Sequence, residues 1–180
     1  EQAEAQLTSH ITQPSGRLRI DVPAAFGRQR ILPIVLNLTR QYPELSLTMT
    51  FSDRFVDQIE EGIDLVIRIG ELEDSSGLVA RRLTTQKLVI CAAPAYLLSQ
   101  GEPTQPQALH QHQCIVGFRR NQPLSWLLTE NDGSILRFTP PATHESSAGD
   151  GMLAATLAGS VLSQLPLLLV GPSFHSAALK

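Results

Sequence analysis

The apolar period changes four times between Arg17 and Ile69, and that alternation limits the fold more than any other feature of the chain. "RLRIDV" places Leu18, Ile20 and Val22 on one side at a period of two, as a strand does. Pro23 stops it. From Gly27 to Tyr42 the apolar residues are Ile31, Ile34, Val35, Leu38 and Tyr42, spaced as one helical stripe. Pro33 fits such a helix only near its first turn, or else kinks it. Pro43 ends it, because a residue before proline disfavours helical angles. "LSLTMTF" then alternates Leu45, Leu47, Met49 and Phe51 on one face. Ser52 suits the N-cap of a short helix through Phe55, Val56 and Ile59, and Gly62 suits its left-handed end. "DLVIRI" reads as a nearly continuous apolar strand, covered on both faces. Strand, helix, strand, helix, strand predicts an α/β unit with a parallel sheet.

A second unit follows. Extended segments are expected around Leu78–Leu83 and Lys87–Ala92, and Pro94 opens the helix "PAYLLSQ". One helical turn is expected near Pro106–His110, and "CIVGF" is a short strand. Asn131-Asp132-Gly133 marks a hairpin turn between "SWLLTE" and "SILRFTP". "AGDGMLAATLAG" is a helix with Asp150 as its cap, "VLSQLP" a strand, and the end a short helical tail. Trp126 belongs to the core or to a subunit interface. The expected division is residues 1–14 as the end of a linker helix, 15–92 as a first lobe and 93–180 as a second. Two lobes joined by extended segments suggest a cleft between them, where small ligands bind.

The 180 residues suffice for a sizeable core, with 42% hydrophobic and 17% charged residues. A net charge of −3 speaks against direct binding of DNA or RNA, whose phosphates call for a basic surface. Cys91 and Cys114 lack zinc-site spacing and are too few for a disulfide scaffold, so buried thiols in a reducing compartment are expected. No apolar run approaches the roughly 20 residues of a membrane span. The first ten residues are polar and acidic, unlike a signal peptide. Rossmann and P-loop glycine patterns are absent, as are His-x-x-x-His and Gly-x-Ser-x-Gly. His110 and His112 read as parts of a solvated connector. His144, Glu145, Ser146 and Ser147 are adjacent, and adjacent residues do not converge as a catalytic triad does. The expectation is no enzyme, no cofactor and no metal.

Topology points to a better site. Ligands of open α/β sheets bind beyond the C-terminal ends of strands. Those ends bring forward Ala24, Phe26, Gly27, Arg28, Asp53, Arg68, Gly70, Phe118, His144 and Asp150. At Ala24–Arg28 a helix starts straight after a strand. Its free N–H groups favour an anion, or else form a buried turn with Arg28 in solvent. Arg68 is read either as a ligand contact or as one half of a salt bridge, for instance with an acid in "ELED". Arg81-Arg82 reads as a solvated pair.

Residues 15 to 175 resemble the effector-binding domain of LysR-type transcriptional regulators. The resemblance rests on the ordered set Tyr42-Pro43-Glu44, Gly62-Ile63-Asp64-Leu65 and Pro94-Ala95-Tyr96-Leu97. Ser52-Asp53-Arg54 and Ile67-Arg68-Ile69-Gly70 resemble a large subgroup of that family. The resemblance implies a two-lobed α/β fold like periplasmic binding proteins, each lobe a Rossmann-like sheet flanked by helices. It implies a small-molecule effector in the inter-lobe cleft, a cytoplasmic regulator, and DNA contact only through an N-terminal winged helix-turn-helix. It also implies a homodimer or tetramer. The pairing carried over uses the helix of Ile31–Leu38, the strand of Leu45–Phe51 and the helix of Gly151–Leu157. Ala24 and Phe26 stand where the family often has serine or threonine, which argues for a more apolar ligand or for recognition by backbone N–H groups. Val161 stands in place of a common glycine. The resemblance further implies a return segment to the first lobe beyond Lys180. A periplasmic-type solute-binding protein is the alternative reading.

Overall fold

The computed structural model describes residues 13–53, 62–70, 79–119, 121–130 and 132–180. The linker helix expected at residues 1–14 lies mostly outside these residues. So do the helix of Phe55, Val56 and Ile59, the "ELEDSSGL" loop, and Asn131 of the hairpin turn. The chain divides into two compact units, Glu1–Asp74 and Ser75–Lys180.

In the first unit β1 (Gly16–Val22), β2 (Leu45–Phe51) and β3 (Leu65–Val66) form a sheet of order β2-β1-β3, all parallel. β1 pairs with β2 along its whole length, Gly16 opposite Leu45 through Val22 opposite Phe51. The alternation of β1 works as expected. Ile20 and Val22 are buried with Val35, and Leu18, Ile31, Leu47, Met49, Phe51 and Ile67 pack round them. The helix after β1 begins at once as α1 (Ala24–Phe26), widens into a π-turn (Gly27–Ile31), and continues as α2 (Leu32–Gln41). In the π-turn the Leu32 N–H donates to the Gly27 carbonyl, five residues back. Pro33 explains the widening. It has no N–H to give, and its ring crowds the carbonyl four residues before it, so the helix loosens by one residue. Gly27 lets the helix lie against β1: a Cβ there would come within 2.2 Å of Val22 Cγ2.

β3 departs from expectation. Only Leu65 and Val66 join the ladder, opposite Ile20 and Asp21, and Leu65 is exposed rather than covered. Ile67 still donates its N–H to the Asp21 carbonyl at 2.9 Å. After it the chain leaves the sheet, because Arg68 turns back to Asp21 and Gly70 takes φ 109°. Gly62 is left-handed at φ 62°, as its position suggested.

In the second unit β10 (Leu162–Pro166) lies between β4 (Leu88–Cys91), antiparallel to it, and β5 (Cys114–Arg119), parallel to it. β5 also pairs with β9 (Ala142–Ser146) in parallel and with the two-residue β6 (Gln122–Pro123). The sequence pattern divides the lobes at Ala92; β4, which precedes that point, is hydrogen-bonded into the second unit's sheet. β7 (Trp126–Thr129) and β8 (Ile135–Phe138) form the expected hairpin, with Gly133 at φ 85° in its turn. The helices are α3 (Pro94–Gln100), α4 (Gly149–Leu157) and α5 (Leu167–His175), with a 3-10 turn at Pro106–Gln111. α5 forms the expected helical tail and runs through Pro172. Trp126 belongs to the core, with Ala92, Tyr96, Leu109, Cys114, Val116 and Leu162.

Two polar side chains of this unit are set differently from the expectation. His112 is buried, not solvated: its Nδ1 lies 3.1 Å from the Tyr96 hydroxyl, which also accepts the Gln113 N–H at 3.0 Å. Asp150 is not the cap of α4. Ala148 holds that position, and Asp150 sits in the first turn with Oδ1 accepting the Gly151 N–H at 2.9 Å. Ser146 ties the turn instead, accepting from Ala148 N–H and donating to Ala148 O.

Candidate functional site

The strand ends of the first unit hold seven of the ten residues singled out from sequence. Their geometry starts from β1. Ile20 and Val22 face the core, so Asp21 must point to the other side of the sheet, yet it is fully buried. Arg68 answers it. One guanidinium nitrogen, Nη2, donates to Asp21 Oδ2, and Nη1 donates to the Ile67 carbonyl at 3.0 Å. The Arg68 side chain is only 7% exposed and that of Asp21 0%, so the pair is shielded from solvent. A buried pair of this kind gives little net stability over apolar residues, but losing one partner alone is costly. Arg68 is therefore the partner of Asp21 in β1. Sequence reasoning missed Asp21 because a lone acid in an alternating strand reads as the solvated face. The available signal was its place between two core residues, one step before the strand's end.

The helix start is filled in a comparable way. Asp53, just after β2, reaches back 29 residues, and its Oδ1 accepts the Ala24 N–H at 3.0 Å. A carboxylate at that place satisfies a free N–H and meets the positive end of the helix dipole. Ala24 is buried and Phe26 half-buried, while Gly27 is held against Val22. Arg28 is exposed, with its guanidinium carbon 5.7 Å from the Phe51 ring centre. Of the two readings of this turn, the anion at the helix start is supplied by the protein itself. Gly70 is exposed in its left-handed conformation.

In the second unit the three remaining residues stand on separate elements. Phe118 is half-buried near the end of β5, opposite Pro123. His144 is exposed in β9, opposite Ile115, and Asp150 is in the first turn of α4. A cavity of about 400 Å³ in this unit is lined by none of them. Its walls include Ile90, Leu97, Leu128 and Leu162, and the ion pair of Lys180 Nζ with Glu102 Oε2 at 2.6 Å sits beside it. The thiols are inert in character: burial raises Cys91, and it pushes Cys114 up to about 11. Among the described residues no group of three His, Cys, Asp or Glu could hold a metal ion, and no helix is long and apolar enough to cross a membrane.

Comparison with known proteins gives this arrangement its class. The family described as the LysR substrate binding domain matches residues 12–180, and the chain belongs to it. That is a family of effector domains, not of enzymes. Over 179 residues the chain is 30% identical to an uncharacterized HTH-type transcriptional regulator of Haemophilus influenzae, covering 99% of this chain and 62% of that protein. It is 38% identical over 121 residues to the HTH-type transcriptional regulator DmlR of Escherichia coli, covering 67% of this chain and 39% of that one. The fold is that of CrgA, a LysR-type transcriptional regulator from Neisseria meningitidis. The TM-score is 0.80 at 27% identity, over 99% of this chain and 60% of that one. The chain thus spans about 40 to 60% of the length of these regulators.

Proposed function

We propose that the chain is the sensing part of a bacterial LysR-type transcription regulator that acts in the cytoplasm. It binds a small organic effector, with strand-end residues as contacts: Ala24, Phe26, Gly27 and Arg28, then Asp53, Arg68 and Gly70, then Phe118, His144 and Asp150. DNA is contacted by another part of the same regulator. The observation that carries this reading is the match of the LysR substrate binding domain family to residues 12–180. An effector acts by binding two states with different affinity, and so shifts the population that the rest of the regulator feels.

Pairing with a second copy is part of the proposal. Ile34, Leu36 and Leu38 of α2 are exposed, and β2 is an edge strand of its sheet. Exposed apolar side chains on a helix, and a strand that is an edge among the described residues, are each costly to leave in water.

The test is thermal unfolding against a broad panel of small organic molecules, acids and neutral compounds alike. A true effector at 100 times its Kd stabilises by about 2.7 kcal/mol. The expected result is one chemical group of hits that also changes regulation by the full-length protein. The reading is lost if no compound shifts the transition and strand-end variants regulate like the unaltered protein.

A further inference from the structure

The cavity of the second unit is lined by none of the strand-end residues. Protein interiors hold few voids larger than a water molecule, so a space of about 400 Å³ against a hydrophobic core is unusual. Pockets of roughly 300–1,000 Å³ are the ones that take small molecules. Ile90 of β4, Leu97 of α3 and Leu128 of β7 pack against the core yet are only half-buried. All three line the cavity, as do Leu109 and Leu162 of the core itself. Apolar side chains of three separate elements thus converge on one space. Water is poorly held by such walls, because an ordered water molecule needs several polar partners.

The polar part of the lining is neutral as a whole. Glu102 and Lys180 are the only charged residues among those that line the cavity, and they pair with each other at 2.6 Å. Gln164 of β10 fixes the hairpin wall. Its Oε1 accepts the Leu127 N–H at 2.9 Å, and its Nε2 donates to the Leu127 carbonyl at 2.8 Å. That clamp matters, since among the described strands β7 and β8 pair only with each other. The Gln164 amide keeps a second N–H and a second lone pair, and Thr104 and Thr129 bring hydroxyls to the lining. We propose that this cavity is a ligand site for a neutral, chiefly apolar small molecule that ends in a hydrogen-bonding group such as a hydroxyl. It is independent of the strand-end contacts proposed above, and stands or falls separately from them.

Three probes with one hydrocarbon chain test this: hexan-1-ol, hexanoate and hexylammonium. Each is titrated at constant ionic strength into the 180-residue chain and into the full-length regulator, and leucine and isoleucine methyl resonances are followed by NMR. Hexan-1-ol is expected to shift the methyls of Ile90, Leu97 and Leu128 saturably in both proteins, at no more than a tenth of the concentration that either ion needs. Leu97→Phe and Leu128→Phe fill the space from different walls. Each is expected to weaken hexan-1-ol binding at least tenfold with unchanged far-UV circular dichroism. Where one variant does not fold, the other and the titrations of the unaltered protein decide. The proposal is overturned if hexan-1-ol gives no saturable shift of these methyls up to its solubility limit, or if either ion binds as tightly. It is also overturned if the folded variants bind hexan-1-ol as the unaltered protein does. Saturation in the 180-residue chain but not in the full-length regulator overturns it as well, since the cavity is then closed in the regulator.

Discussion

Ala177 lies just past the end of α5 at φ 55°, a left-handed conformation that glycine adopts without cost. The Cβ of alanine disfavours that region by roughly 1 to 2 kcal/mol, partly offset by the greater freedom of an unfolded glycine. Ala177→Gly should therefore stabilise the protein by about 0.5–1 kcal/mol, read as a higher urea midpoint with an unchanged slope. The thiols give a second residue-scale prediction. Cys114 has its ordinary value of 9.0 raised to about 11 by burial, and Cys91 is raised too. Because the folded form holds these protons more tightly, their contribution to stability is complete below pH 9.0 and is lost as pH rises above it, that of Cys114 towards pH 11. Iodoacetamide at pH 8 should leave both thiols unmodified in the folded protein and alkylate both in urea, as intact mass will report. Burial of both cysteines was legible in the sequence, since uncommitted cysteines are usually buried. The burial of His112 was not. It depends on the Tyr96 hydroxyl, which reaches it from a neighbouring helix and leaves no trace in spacing.

Among the elements, the helix after β1 shows where pattern suffices and where it fails. Of the stripe expected from Ile31, Ile34, Val35, Leu38 and Tyr42, Val35 is buried and Ile31 packs against the core, but Ile34 and Leu38 are exposed, while the break at Tyr42-Pro43 holds. The π-turn was foreshadowed only by Pro33, whose effect depends on how the preceding turn yields. β3 was over-read for a similar reason. "DLVIRI" has strand composition, but the pull of Asp21 on Arg68 takes residues 68 and 69 away from the sheet, and that pairing spans 47 positions. The candidate site shares this fault line. Strand ends follow from topology and were legible; which carboxylate caps Ala24 was not. Gly27 supplies a prediction at this scale. Gly→Ala inside a helix normally gains up to about 1 kcal/mol. Here the added Cβ would sit 2.2 Å from Val22 Cγ2, and overpacking costs typically 1–3 kcal/mol. Overpacking outweighs the gain in helix propensity, so Gly27→Ala should lower the urea midpoint, whereas a gain in stability would mean that β1 and the helix yield freely.

At the scale of the whole molecule, the described residues include one hydrophobic cluster centred on Ile20, Val22 and Val35 and another on Tyr96, Leu109, Trp126 and Leu162. The chain has a single tryptophan, and it belongs to the second cluster. Its fluorescence therefore follows the second unit, while far-UV circular dichroism follows both. Val22→Ala, which opens a hole in the first cluster alone, should shift the dichroism transition to lower urea and move the tryptophan transition less. Equal shifts by both probes would mean that the units unfold as one. The two clusters also differ in when the growing chain can build them. The members of the first, with the residues packed against it, lie between Leu18 and Ile67, and those of the second between Ile90 and Leu162. During synthesis the first can close while the second is still being translated, and domains tend to fold as units in that order. The second must wait for β10, since Leu162 and the pairing of β10 with β4 come after all its other members in sequence. β10, the last-made of the described strands of that sheet, is thus the one that ties it together, so every member of the first cluster has been synthesised before the second has its central strand.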